Sequence, residues 1–143
     1  MLKERLNELI SNYGLKDARA VTFGHPKMKI KWILPMPSAS VFSFEQFQPF
    51  LIYFDNEGIA FFPLDLNNSY AIIGRSFVSW NELKNFCFKK GLLENKIELY
   101  TKNGKIEMKI PKSKAMNEWV KENNAYLEEN NFFRSADNDY NRP

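Results

Sequence analysis

The chain opens with apolar residues at helical spacing. They recur every three or four positions, at Leu2, Leu6, Leu9, Ile10 and Tyr13. Charged and polar residues fill the positions between them, and Gly14 follows as a stop signal. The pattern predicts a short amphipathic helix over residues 2–13. Because about 12 residues are too few for a stable isolated helix in water, its apolar stripe must pack on the same chain or on a second copy of it.

A basic segment with a period of two comes next. Lys27, Lys29 and Lys31 alternate with apolar residues as far as Leu34. This alternation predicts a strand with one buried face and one wet, basic face. Pro35 then breaks the strand.

Residues 38–49 are rich in serine, phenylalanine and glutamine, and contain Phe42, Phe44 and Phe47. Two interpretations of their local structure stay open, a strand with alternating phenylalanines or a long loop. Two interpretations of the role of the apolar stretch 36–47 also stay open. The rings either cover the core or form an exposed apolar surface for binding.

The centre of the chain predicts a β-hairpin. Residues 50–54 and 59–62 are almost wholly apolar, so both faces of these strands are expected to be covered. The sequence Asp-Asn-Glu-Gly at 55–58 is typical of a tight turn, with Gly58 expected in the left-handed conformation. Further strands are predicted at residues 70–73, 77–80 and 83–89, separated by turn residues.

A second hairpin is predicted over residues 96–110. Asn103-Gly104 is a strong signal for a two-residue loop, which places Lys102 opposite Lys105. In that register Leu99 faces Met108 on the apolar side and Glu98 faces Lys109 on the polar side. A slip of one residue would expose the apolar face.

The last predicted element is a helix over residues 113–130. Ser113 is its expected N-cap. Its apolar stripe has helical spacing and consists of Met116, Trp119, Val120, Asn123, Tyr126 and Leu127. The remaining residues, 134–143, are polar and without periodicity, which predicts a disordered tail.

Size and composition indicate an ordinary globular protein. The 143 residues suffice for one domain, and an aromatic content of 15% supports a real core. One Cys and one His exclude an internal disulfide and a zinc site built only from those residues. No apolar run reaches about 18 residues, and the start lacks an apolar signal core. We therefore expect a cytoplasmic protein.

Positive charge is concentrated in residues 84–114, which carry nine lysines and three glutamates, a net charge of +6. Such a block attracts phosphates or an anionic membrane surface. The alternative is a set of solvated strand faces, where lysine protects sheet edges. We favour the second interpretation, because lysine outnumbers arginine fifteen to five in the chain. Nucleic-acid binding is not expected, since lysine and glutamate alternate along the predicted strands.

Candidate catalytic chemistry is sparse. His25 has no acid or nucleophile near it in sequence, and Cys87 lies between two phenylalanines as a small buried residue does. No glycine-rich phosphate loop occurs. We expect a protein that is not an enzyme, with no catalytic residues, no cofactor and no metal site.

Three segments resemble the bacterial members of the pleckstrin-homology-like (PH-like) superfamily. They are Phe54-Asp-Asn-Glu-Gly-Ile59, Phe77-Val-Ser-Trp-Asn-Glu-Leu-Lys84 and Gly91-Leu-Leu-Glu-Asn-Lys96. The amphipathic helix with Trp119 completes the resemblance, which covers roughly residues 20–131 and contains no catalytic motif. It implies a small, bent antiparallel β-barrel with the C-terminal helix capping one end. Proteins of this superfamily are typically binding modules for lipid headgroups, peptides or partner proteins.

The expected fold is therefore α+β and mainly β, a PH-like barrel over about residues 18–111 with an extra N-terminal helix. It forms one domain, residues 1–131. The expected function is non-enzymatic binding of a protein or peptide. Alternatives are association with an anionic membrane surface, or a small-molecule pocket at the open barrel end. The candidate surfaces are the basic strand, the phenylalanine-rich segment and a turn, with these residues: Lys27, Lys29, Lys31, Phe42, Phe44, Phe47, Lys89 and Lys90.

Overall fold

A computed structural model describes residues 2–26, 30–33, 41–44, 49–102, 104–112 and 118–134 of the chain, with backbone only for residues 2, 30–33 and 41–44. The helices are α1 (Leu2–Tyr13) and α2 (Glu118–Glu129), and short 3-10 helices occupy Ala18–Ala20, Trp80–Glu82 and Asn131–Phe133. The strands are β1 (Val21–Pro26), β2 (Ile30–Ile33), β3 (Val41–Phe44), β4 (Phe50–Phe54), β5 (Gly58–Asp65), β6 (Ala71–Ile72), β7 (Ser76–Ser79), β8 (Leu83–Lys89), β9 (Glu94–Thr101) and β10 (Gly104–Pro111).

Eight of these strands form one antiparallel sheet in the order β6-β5-β4-β1-β10-β9-β8, with β7 also paired to β5. The strands β2 and β3 pair with each other in a separate two-stranded sheet. The predicted α+β class with a mainly antiparallel sheet is confirmed. The predicted hairpins, β4–β5 and β9–β10, are both present.

The large sheet is strongly bent. In a flat sheet, four strand spacings of about 4.8 Å would separate β4 from β8 by about 19 Å. The ring centroids of Phe54 on β4 and Phe86 on β8 nevertheless lie 6.1 Å apart. The sheet must therefore curl around so that these two rings meet across its concave side.

The sheet does not close into a barrel, which corrects the closed barrel expected from the sequence. Among the described residues no ladder joins β7 to β8, the edges that the curl brings near each other. The chain itself joins them through Trp80–Glu82. A capping box, in which the Ser79 and Glu82 side chains bond each other's backbone, holds this turn. The two strands therefore follow one another end to end and do not lie side by side.

The concave side of the sheet is filled by aromatic rings. Phe54 packs edge-on against both Phe86 and Phe132, and Trp80 packs against Phe86 at 5.5 Å. The indole of Trp80 also donates a hydrogen bond to the carbonyl of Asp55 at 2.8 Å. All residues of β4 are buried, as are those of β5 up to Leu64, so the prediction that both faces are covered is confirmed.

Gly58 has a different role from the one predicted. Its backbone is not left-handed, because positive φ angles among described glycines occur at Gly14 and Gly104. A Cβ atom at Gly58 would lie 2.2 Å from the carbonyl oxygen of Val78 on the paired strand β7. The turn itself is held by Asp55, whose side chain accepts the N–H groups of Glu57 and Gly58. Glycine is needed here for close strand approach.

The register of the β9–β10 hairpin differs from the predicted one by two residues. Thr101 pairs with Gly104, so Gly104 belongs to β10 and not to the predicted loop. Leu99 therefore faces Ile106, and Glu98 faces Glu107. A shift of two keeps every side chain on its own face, so the apolar pattern does not discriminate between the two registers.

Helix α1 spans the predicted residues and packs on its own chain. Leu6 and Leu9 are buried in the main core, and the Tyr13 ring meets Phe62 of β5 edge-on at 5.3 Å. Arg5 donates from Nε to the carbonyl of Ser69 in the loop before β6. Leu6, Leu9 and Tyr13 of the apolar stripe are thus covered within the same chain, while Ile10 is 39% exposed.

Helix α2 buries the predicted stripe of Trp119, Val120, Asn123 and Leu127. Asn123 donates from Nδ2 to the carbonyls of Ala18 and Val21, both at 2.9 Å. These bonds tie the helix to the chain entering β1. Ser113 and Met116, predicted as N-cap and first stripe residue, lie outside the described residues.

Candidate functional site

The basic strand and the phenylalanine-rich segment lie only partly within the described residues. The backbone places Lys31 in β2, and Phe42 and Phe44 in β3, so this part of the segment is a strand. The other predicted members of these two surfaces lie outside the described residues: Lys27, Lys29 and Phe47. Whether the phenylalanines cover the core or face a partner stays a prediction.

Lys89 and Lys90, the third predicted surface, each pair with a carboxylate. Lys89 ends β8, and its Nζ lies 3.1 Å from Oε1 of Glu98. The Nζ of Lys90 lies 2.9 Å from Oε1 of Glu128 on α2. Both lysine side chains remain more than half exposed, at 58% and 71%, so a ligand can reach them.

These two lysines stand at the rim of a groove of about 400 Å³ between β8 and the end of α2. Aromatic rings from both sides form its floor. The Phe88 and Phe132 centroids are 4.8 Å apart, and the Phe86 and Phe132 centroids are 5.4 Å apart. Phe132 reaches this position because the 3-10 helix Asn131–Phe133 follows α2 with positive φ angles that turn the chain back toward β8.

Strand β8 forms an edge beside this groove, since in the described structure it pairs with β9 alone. Its backbone groups at Phe86 point away from β9. The Phe86 carbonyl accepts a hydrogen bond from Nη1 of Arg134 at 3.2 Å, and its N–H donates to Oδ1 of Asn85. Because backbone direction repeats every second residue along an antiparallel strand, the N–H and carbonyl of Phe88 are expected to be directed away from β9 as well.

Arg134, the first residue of the predicted disordered tail, lies within the described residues and packs beside the groove. Its guanidinium lies over the Phe86 ring at 5.2 Å and donates to the side chain of Asn131. The predicted tail beyond it, residues 135–143, lies outside the described residues. Phe132 and Arg134 are the groove residues that the sequence reasoning missed. The apolar pair Phe132-Phe133 after the helix was the available signal for packing beyond the predicted helix end.

Three lysines of the lysine-rich segment converge on one buried carboxylate. The side chain of Glu98 is 2% exposed and lies within 3.6 Å of the Nζ atoms of Lys89, Lys96 and Lys105. The hydroxyl of Tyr100 donates to its Oε1 at 2.9 Å. Burial by itself raises the pKa of Glu98, but the hydrogen bonds and the lysine charges outweigh it and lower the pKa to about 2. This pairing supports the interpretation of solvated strand faces over that of a phosphate site.

A second cavity of about 400 Å³ lies between the end of α1 and the β4–β5 hairpin. Tyr53, Phe62 and Phe77 line it, with Lys16 and Arg75 contributing basic groups. Because Tyr53, Ala60 and Phe77 stand opposite one another on β4, β5 and β7, this cavity lies on a different face from Phe54 and Phe86. Its position therefore differs from that of the small-molecule pocket that the sequence analysis considered, which was at the open end of a barrel.

The two residues considered for catalysis, His25 and Cys87, both lie in strands of the large sheet. His25 lies in β1 opposite Lys109, and Cys87 is buried in β8 as predicted. Trp80 and Trp119 are core residues. Over the described ranges, no group of three or more His, Cys, Asp or Glu residues is placed to hold a metal ion. In the same ranges, no helix has the length and apolar character needed to cross a bilayer.

Comparison of the chain with protein-family models, with curated proteins and with solved structures finds no match in any of the three sets.

Proposed function

We propose that this chain is a cytoplasmic, non-enzymatic binding module of the PH-like type. It binds an extended, acidic segment of a partner protein in the groove between β8 and α2. The observation that carries the proposal is the position of β8, an edge strand that runs beside an aromatic groove.

The fold supports the PH-like part of the proposal. A bent antiparallel sheet with an amphipathic C-terminal helix packed against it is the arrangement that the resemblance implies. Contacts between β4, β8 and the 3-10 helix after α2 give the sheet its curl. The small sheet β2–β3 and helix α1 are additions to that arrangement.

The geometry of β8 supports an extended ligand. A peptide that adds to a sheet edge gains main-chain hydrogen bonds and places alternate side chains in neighbouring pockets. The backbone groups of Phe88 are directed for such bonds, and the rings of Phe88 and Phe132 offer an apolar surface for one side chain. Asn85 and Arg134 occupy the backbone groups of Phe86, so strand addition is confined to the Lys90 end of β8.

The charges at the rim support an acidic ligand. Lys89, Lys90 and Arg134 border the groove, against the single carboxylate of Glu128. Complementary charge at a rim raises the association rate and selects partners, and its effect falls as salt is added.

The experiment is a display selection of random peptides on the full chain. We expect enriched peptides with acidic residues. Bound peptide is expected to shift the NMR amide signals of Phe88 and Lys90 and leave those of β7 unchanged. The variant Lys90→Glu is expected to weaken binding by about 3- to 10-fold at low salt, because it reverses one rim charge.

Lys102→Glu is the matched control, since it makes the same charge change at an exposed lysine in the β9–β10 loop, which does not line the groove. It should leave peptide affinity within about twofold. Peptides that shift amides elsewhere, or that bind Lys90→Glu as tightly as the original chain, would contradict the proposal.

A further inference from the structure

The loop between β8 and β9 holds two neighbouring leucines in solvent. Leu92 is 93% exposed and Leu93 is 81% exposed. Among the residues whose side chains the structure describes, the next most exposed large apolar ones are Ile73 at 57% and Leu66 at 54%. Full exposure of two adjacent leucines is unfavourable in water, so it points to a surface that meets an apolar environment elsewhere.

The loop is tied down on both sides of these leucines. The N–H of Gly91 donates to Oδ1 of the buried Asn95 at 3.3 Å. Lys112, after β10, donates from Nζ to the Gly91 carbonyl at 2.9 Å and from its N–H to the Leu93 carbonyl at 3.4 Å. The exposure of the leucines is therefore built into the folded chain.

Basic groups surround the base of the loop. The ammonium of Lys112 bonds a carbonyl and pairs with no carboxylate among the described residues. The acids that face the loop are Glu128, paired with Lys90, and Glu94, paired with Lys109. Residues 84–112 as a whole carry eight lysines against three glutamates, a net charge of +5. The leucines thus protrude from a surface that is positive overall.

We propose that Leu92 and Leu93 insert into the interfacial region of an anionic lipid bilayer, with Lys90 and Lys112 at the level of the lipid phosphates. The leucine side chains bury apolar surface in the bilayer interface, and each lysine near an anionic surface adds electrostatic attraction.

A protruding tip of two side chains suits a bilayer better than a protein. A stable protein interface uses about 20–30 residues on each side, arranged as a complementary surface. A bilayer accepts a small convex apolar tip without a shaped partner pocket. Neither leucine lines the groove beside β8, whereas Lys90 borders both surfaces, so substitution of the leucines tests this proposal separately from peptide binding.

The test is cosedimentation of the full chain with vesicles of phosphatidylcholine, with or without about 30% phosphatidylserine. We expect retention on the phosphatidylserine vesicles at low salt and release as salt is raised. The double variant Leu92→Ser/Leu93→Ser is expected to lose about tenfold or more in partition, because it removes the inserted apolar surface. These side chains are exposed, so the substitution leaves folding intact, which circular dichroism checks.

Leu66→Ser/Ile73→Ser is the matched control, since it removes the same kind of exposed apolar groups from another part of the surface. It should keep the retention of the original chain. The proposal is overturned if the original chain stays in the supernatant at low salt with all vesicles, in which case the loop contacts a protein. Equal partition of the two double variants, or equal retention on pure phosphatidylcholine, also overturns it.

Discussion

Glu98 is the residue on which the basic face of the sheet depends. It stands between β8 and β10, where Lys89, Lys96 and Lys105 converge on one nearly inaccessible carboxylate. Without it these lysines would repel one another across neighbouring strands. The pattern of lysines in the sequence indicates a basic block, but in the structure three of these lysines pair with one buried carboxylate.

Replacing Glu98 with glutamine should destabilise the protein by about 1–3 kcal/mol at pH 7, because charge-assisted hydrogen bonds are lost. The pKa of Glu98 is lowered from 4.5 to about 2, so its ionised form is favoured in the folded state. That contribution is complete above about pH 5 and is lost as pH falls through 4.5 toward 2. Urea unfolding at pH 7, 4 and 2 measures it.

Glu129→Gln serves as the control for this substitution, since Glu129 is exposed at the end of α2. Its unfolding free energy should stay within about 0.5 kcal/mol of the original at each pH. A stability gap between Glu98→Gln and the original chain that persists undiminished at pH 2 would show that the carboxylate does not act through its charge.

Among the elements, the β9–β10 hairpin shows how turn and strand signals combine. The Asn-Gly signal locates the hairpin correctly but places its loop one residue too late. The observed register puts Glu98 opposite Glu107, a like-charge pair that the lysines on neighbouring strands offset. Packing of β9 between β8 and β10 therefore decides the register, and the register in turn determines which residues form the loop.

The register predicts which cysteine pair forms a cross-strand disulfide. In a Cys87→Ala background, Tyr100→Cys with Lys105→Cys should oxidise readily, because these residues stand directly opposite each other. Tyr100→Cys with Glu107→Cys tests the alternative register and should stay largely reduced. Thiol counting by mass spectrometry after air oxidation distinguishes them. Faster oxidation of the second pair would contradict the described register.

At the scale of the whole molecule, α1 and α2 cover different parts of one bent sheet. The residues after α2 reach the concave side through Phe132, while Tyr13 of α1 packs against Phe62 near the second cavity. Both helices are too short to be stable alone, so each depends on the sheet for its structure. The packing of both helices on the sheet therefore shapes the fold and also its two cavities.

Because α1 packs on its own chain, a substitution in its buried face should lower the free energy of unfolding by an amount that does not depend on protein concentration. Leu9→Ala should cost about 2–5 kcal/mol, because Leu9 is completely buried in the core of its own chain. Ile10→Ala, at a side chain 39% exposed on the same helix, should cost about 1 kcal/mol or less. Urea unfolding at two protein concentrations twentyfold apart checks both. A loss for Leu9→Ala that varies with concentration would indicate that α1 pairs between chains.

Much of the local structure was predictable because it depends on neighbouring residues. Periodicity located α1, β8 and the buried stripe of α2, and the Asp-Asn-Glu-Gly turn located the β4–β5 hairpin. Gly58 shows where such reasoning fails. Its turn was recognised, but the need for glycine comes from the carbonyl of Val78, twenty residues away.

The candidate site was predictable only in part, through Lys89 and Lys90. Phe132 and Arg134 reach the groove because the chain reverses after α2 and packs on β8, a contact between residues 44 or more positions apart. No short-range pattern encodes such a contact. The leucines of the β8–β9 loop were visible in the sequence, but their exposure was not.

Local sequence patterns were therefore sufficient to predict the helices and strands, the alternation of buried and solvated faces and the mainly antiparallel class. Long-range packing established the two-residue register shift, the curl without closure, the edge position of β8 among the described strands and the pairing of three lysines with Glu98. The physical reason is that periodicity and turn chemistry act over a few residues. Strand order, edge exposure and charge pairing depend on which distant segments meet, and this is settled by burial of the whole core.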